Sequence, residues 1–224
     1  MDSFVSLLLL LHVSFGVLAL ATSFAAMATK KGSKFHRRAG TLYFWAMLGI
    51  AITAIPVTFY RPNPFLFAIA LFSFYFAFAG YRRGKSKFEF EPIDKVAAYL
   101  MVLVSLGMIS YGLYMAFYIA PNGWSLFAFG LIGLQNSLED VKDSKSGIDF
   151  HNKVARHLQR MIAGTIATVT AVLVQQVSTR LDQQTAWPIL VWLSPTALLV
   201  PLIFIWSRRV LVDRRMTLIN RASK

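Results

Sequence analysis

Apolar residues come in seven long runs, at about 4–28, 40–60, 64–82, 96–118, 123–139, 157–178 and 187–207. Short polar links part them. Most of these runs approach the roughly 20 residues that a helix needs to cross a bilayer. No water is present there to satisfy backbone N–H and C=O groups, so such a run must be helical. The pattern predicts an all-α, polytopic membrane protein with seven transmembrane helices. Arg61-Pro62-Asn63-Pro64 and Ala120-Pro121-Asn122-Gly123 punctuate it with residues that stop helices. Pro56, Pro188, Pro195 and Pro201 are expected to kink or start helices.

Charge then orients the pattern. Of the 23 Lys and Arg, all but Arg61 and Arg180 fall on one side of the seven runs. An excess of Lys and Arg marks the cytoplasmic side, so the N-terminus is expected outside and the C-terminus inside. Tyr60, Tyr118, Trp124 and Trp187 fall at outer ends and Tyr81 and Trp206 at inner ends, where interfacial aromatics belong. The net charge of +13 does not indicate nucleic acid, because the basic residues alternate with spanning runs. They suit topology and attraction to anionic inner-leaflet lipid, which makes the bilayer the expected partner. Ala26-Met27-Ala28 resembles a signal-peptidase site. The run before it is too long for a signal peptide and follows Asp2 rather than a basic segment. The reading is therefore a retained first helix, one domain over 1–207, and a basic cytoplasmic tail over 208–224 in a bacterial inner membrane.

With no cysteine, thiolate metal sites, iron–sulfur clusters and cysteine nucleophiles are excluded. A retinal Schiff base lacks its lysine in the seventh run, and there is no phosphate loop or G-x-S-x-G elbow. Histidine remains. His36 opens the second run and His157 the sixth; Glu139 and Asp140 close the fifth. All four are expected at the inner interface, whereas His12 lies in the outer half of the first. Ionisable groups at such depths each call for a functional hypothesis.

Two imidazoles and a carboxylate, from His36, His157 and Asp140, suit a divalent metal such as zinc with an open position; His151 or Glu139 can complete or tune the set. Alternatively, His36 and His157 are axial ligands of haem b. Gly40 then makes room for the porphyrin, and Arg37, Arg38 or Arg160 meets its propionates. A two-haem relay is not supported, since His12 is the lone outer histidine; it suits a quinone, another small molecule, or a hydrogen bond within the bundle. The plainer role for His36 and His157 is hydrogen bonding at helix ends beside lipid phosphates. Gly32-Ser33-Lys34-Phe35-His36 also echoes Gly147-Ile148-Asp149-Phe150-His151, as a three-plus-one-plus-three parallel repeat would.

Several motifs carry a resemblance: His12-x-x-x-Gly16, His36-Arg37-Arg38-Ala39-Gly40 with Tyr43, Phe72-Ser73-Phe74-Tyr75 with Gly80-Tyr81-Arg82, Phe129-Gly130 before Asp140, His157-Leu158-Gln159-Arg160-Met161, and Trp192-Leu193-Ser194-Pro195-Thr196. Together they resemble an uncharacterised bacterial family of predicted integral membrane proteins. A looser similarity is to transmembrane b-type cytochromes. The resemblance implies that His12, His36, Asp140, His157 and Arg160 sit in family motifs, and it supplies no activity. The leading expectation is a histidine-based cofactor site near the cytoplasmic face, with redox use of haem or metal. A metal-dependent membrane hydrolase using His36, His157 and Asp140 follows, then a small transporter or assembly factor with no cofactor.

Overall fold

A computed structural model of the chain describes residues 3–60, 62–85, 88–177, 180–181, 185 and 187–222, with side chains up to 212. Arg61, one of the two basic residues expected outside, lies beyond the described set. Among the described residues there are seven helices and no strand. They are α1 (Ser3–Ala28), α2 (Lys34–Tyr60), α3 (Pro64–Gly84), α4 (Pro92–Tyr118), α5 (Gly123–Ser146), α6 (Phe150–Gln176) and α7 (Trp187–Ala222).

The helices outrun the apolar runs, chiefly at the basic end of the bundle. Helix α2 starts six residues before run 40–60, and α6 seven before run 157–178. Hydropathy marks where lipid stops, but a helix stops where its terminal N–H groups find caps. Asp149 accepts from His151 N and Asn152 N and so starts α6, and Ser33 Oγ accepts from His36 N at the start of α2. At α3, Asn63 accepts from Leu66 N ahead of Pro64. Helix α7 likewise runs past 207 as far as Ala222, with Pro195 and Pro201 inside it.

Six of the seven are long and apolar enough to cross a membrane; α5 is not. The fifth run is thus present as a helix, but it is less apolar than the pattern of runs suggests. The second half of α5 carries Gln135, Asn136, Glu139, Asp140, Lys142 and Asp143, and neighbouring helices cover several of these groups. Even so, α5 returns along the whole of α4. A Cβ on Gly112 would lie 2.6 Å from Phe127 N, and one on Gly123 2.3 Å from Ala116 N. Backbone meets backbone there, as small residues permit in membrane helix pairs.

Helices α3 and α6 form the centre: half of the apolar stretch of each is buried, against 11% in α1 and in α7. They pack antiparallel, and an aromatic core of Phe65, Phe72, Phe76, Phe129 and Trp192 fills the space toward α4, α5 and α7. On the other flank α1 lies along α2, with Phe15 against Gly49. Helices α2 and α6 run parallel and meet in one register: His36 with His157, Gly40 with Met161, Tyr43 with Gly164, and Met47 with Thr168. The sequence echo pairs His36 with His151 instead.

Candidate functional site

The basic end of α2 brings His36 in from its first turn. Its Nδ1 meets the Ala26 carbonyl at 2.9 Å, which caps the end of α1. Lys31 Nζ donates to the neighbouring Met27 carbonyl at 2.6 Å. From α6, His157 Nδ1 meets the Gly80 carbonyl of α3 at 2.7 Å. This contact needs the small residues of α3, since a Cβ on Gly84 would stand 2.9 Å from the imidazole. The two rings then face each other, centres 6.3 Å apart and planes at 81°. Both histidines are half-buried.

This geometry fixes a tautomer. A carbonyl oxygen only accepts, so each Nδ1 carries its hydrogen, and a ring in its neutral form then has its lone pair on Nε2. A backbone carbonyl holding Nδ1–H is the usual support behind a ligating histidine. With metal–nitrogen bonds of about 2.0–2.1 Å, two imidazoles on one metal have centres roughly 6 Å apart or less. The observed spacing sits near that limit. It also lies within the roughly 4.5–7 Å of ordinary edge-to-face ring packing.

Asp140 does not complete a three-ligand set with this pair. It is buried in α5 and its two oxygens serve other groups. Oδ2 accepts from the Tyr75 hydroxyl at 2.6 Å, and Oδ1 receives Arg160 Nη2 and Arg83 Nη2, each at 2.9 Å. Among the described residues, no group of three or more His, Cys, Asp or Glu can hold a metal ion. The set of His36, His157 and Asp140 expected for a hydrolase is therefore not assembled. This carboxylate is already engaged by two guanidinium groups and a phenol, which makes it a structural counter-ion.

Arg160 is wholly buried and binds protein rather than a propionate. It donates to the side chain and carbonyl of Asn136, to Asp140, and to Glu139 at 3.2 Å. Glu139 also pairs with Arg156 at 2.7 Å, and Arg156 in turn with Asp143. A lattice of three arginines and three carboxylates thus joins α3, α5 and α6 at the basic end. Hydrogen-bonded on most sides, it meets the condition under which charges can be buried. Next to it, Arg82 grips Asp94 with two bonds of 2.7 and 2.6 Å and ties α3 to the start of α4.

Tyr75, Arg83, Asn136, Asp143 and Arg156 are the members that sequence reasoning missed. Arg83 reads as one more topology charge beside Arg82. The available signal is period: Phe72, Tyr75, Phe76 and Ala79 are spaced as one buried helical face, and Arg83 continues it.

The room expected for a porphyrin beside Gly40 is occupied. A Cβ there would have Met161 Cε as a neighbour at 3.7 Å, and the flank of Gly80 is closed by Met161 as well. His12 lies apart from the pair, its Nδ1 2.9 Å from Thr53 Oγ1, and links α1 to α2 in the other half of the bundle. His151 sits in the first turn of α6, edge-on to Phe150.

No curated protein and no solved structure matches this chain. Residues 9–91, which span most of α1, all of α2 and α3, and so His12, His36, Gly80 and Arg83, match the profile of a family described as Predicted membrane protein (DUF2306).

Proposed function

We propose that His36 and His157 form a cofactor site at the cytoplasmic end of this protein, in a bacterial inner membrane, and that the bound metal or haem serves redox chemistry. One observation carries the reading. Two histidines from helices far apart in sequence face each other at 6.3 Å, and each Nδ1 is spent on a main-chain carbonyl. That arrangement leaves two Nε2 lone pairs on the sides of the rings away from their anchors. Packing alone needs no such tautomer in both rings.

A transition metal held by imidazoles supplies electron transfer, with potential tuned by burial and by hydrogen bonds behind the ligands. The chain's own contribution is position. The Ala26 and Gly80 carbonyls orient the rings, and the arginine–carboxylate lattice fixes α3 and α6, which carry Gly80 and His157. With only two protein nitrogens in the set, the remaining coordination positions are open to water, a quinone or another small molecule. Met161 beside Gly40 and Gly80 favours an ion over a porphyrin, because a macrocycle requires that side chain to leave.

The test is direct. The protein is purified in mild detergent, its visible spectrum recorded and its metals quantified, alongside His36→Ala, His157→Ala and His12→Ala. The expected outcome is about one metal per chain, lost in the first two variants and kept in the third. A Soret band with the same dependence identifies the cofactor as haem. A colourless, metal-free wild type, also after reconstitution with zinc, copper, iron and haem, overturns the proposal and leaves the transporter or assembly-factor reading.

A further inference from the structure

Apart from the histidine pair, the basic end carries a groove of about 480 Å³ lined by Lys34, Arg37, Arg38, Thr41 and Leu42. All five belong to the first turns of α2. The three cations are exposed, and none is engaged in an ion pair with a described acid. From Ser3 to Phe88 the chain contains no Asp or Glu, so any acid partner would have to come from a later helix. Among the described residues, these three neighbouring positive charges have no acid counter-ion, whereas Arg82, Arg83, Arg156 and Arg160 at the same end all have carboxylate partners. The Thr41 hydroxyl donates back to the Arg37 carbonyl at 2.9 Å, so it walls the groove and leaves the donor role to the cations.

The surroundings indicate the occupant. Down α2 from the groove, Leu42, Trp45, Ile52, Ile55 and Phe59 are exposed large apolar residues, spaced to continue the face that Arg38 begins. The surface thus changes along one helix face from cationic to apolar, in the direction in which a phospholipid changes from headgroup to acyl chain. A soluble anion uses the first half of that surface alone.

We propose that the Lys34–Arg37–Arg38 groove is a binding site for the phosphate headgroup of an anionic phospholipid, with its acyl chains lying along Leu42 and Trp45. Arg and Lys give it charge-assisted hydrogen bonds to phosphate oxygens, bidentate where Arg allows. The site is local, unlike the diffuse attraction that every basic residue near an anionic leaflet feels. Its occupancy does not depend on what the histidine pair binds.

Delipidated full-length protein in detergent is titrated with short-chain phosphatidylglycerol, phosphatidylcholine and inorganic phosphate, and bound lipid is counted by native mass spectrometry. The site variant is K34Q/R37Q/R38Q. The control, K95Q/K142Q/K145Q, removes the same charge from exposed lysines elsewhere at the same end. Saturable binding of phosphatidylglycerol is expected in wild type and control. Binding to the site variant is expected to be roughly a hundredfold weaker, at about fivefold per cation. Inorganic phosphate at millimolar concentration should compete poorly. Equal weakening in control and site variant overturns the proposal in favour of non-specific attraction. Equal retention of phosphatidylcholine overturns it in favour of acyl-chain adhesion alone. Full competition by phosphate overturns the lipid assignment. All three cations are exposed, so the variant should fold; an unchanged elution profile checks this.

Discussion

Replacing Asp140 by Asn tests the buried lattice at its centre. The carboxylate is 2% exposed, and the guanidinium groups on it are 2% (Arg83) and 0% (Arg160) exposed. The amide keeps the shape but removes the negative charge. Arg160 retains Glu139 at 3.2 Å and two bonds to Asn136. Arg83 fares worse: it keeps the Ala79 carbonyl at 3.1 Å and the rings of Phe88 and Phe90, and loses its carboxylate. Removing one partner of a buried pair costs about 3–5 kcal/mol, because an uncompensated charge stays behind. At about 2–4 °C per kcal/mol for a chain of this size, melting should fall by on the order of 10 °C. The assay is the fraction of protein still monodisperse after heating in mild detergent. Asp143→Asn makes the comparison, since its partner Arg156 is part-exposed and keeps Glu139; such pairs are worth about 0–1 kcal/mol. The stranded charge should also be recoverable. In Arg83→Gln/Asp140→Asn the second substitution should cost much less than it does alone, giving a coupling energy of roughly 0.5–3 kcal/mol. A melting temperature for Asp140→Asn within about 2 °C of wild type, or strict additivity in the double variant, would refute the claim that these charges depend on each other.

Two further outcomes follow from packing and topology. Gly80→Ala places a Cβ 2.8 Å from Met161 Cγ and Sδ and 3.0 Å from Met161 N, and the backbone atom cannot step aside, so a loss of about 1–3 kcal/mol is expected in the same heating assay. Gly16→Ala meets nothing within 4 Å and should be neutral or stabilising by up to about 1 kcal/mol; equal effects at the two sites would contradict the α3–α6 contact. Because the chain has no cysteine, single cysteines report sidedness cleanly: Ile119→Cys should react with an impermeant maleimide in intact cells, and Lys145→Cys only after permeabilisation, the reverse pattern being fatal to the expected orientation.

Much of this protein is legible in the chain alone. Lipid thickness imposes a length on apolar runs, and backbone satisfaction imposes the helix, so all seven elements can be read before any contact is known. Helix ends are less legible, because the caps at Ser33 and Asp149 lie in segments that hydropathy reads as polar links. Helix α5 shows a different limit. The second half of α5 is polar, and what shelters that half is protein: Arg83 from α3 and Arg160 from α6.

The same limit governs the site. One dimension gives His36, Asp140 and His157 a common depth, since each stands at the basic end of its run. Depth does not say which way a side chain turns around its helix axis, and neighbours decide that. The parallel register of α2 on α6 turns His36 and His157 to each other, while the antiparallel contact of α3 and α6 supplies the Gly80 carbonyl. Asp140 is drawn the other way, because two arginines from different helices have no larger stabilisation available than a shared buried carboxylate. The sequence by itself determines what the bilayer selects, namely number, length, helicity and charge asymmetry. Only the tertiary structure decides which charges neutralise one another, which histidines meet, and that Lys34, Arg37 and Arg38 meet no acid among the described residues, because pairing depends on rotation and register between helices, which a one-dimensional pattern does not state.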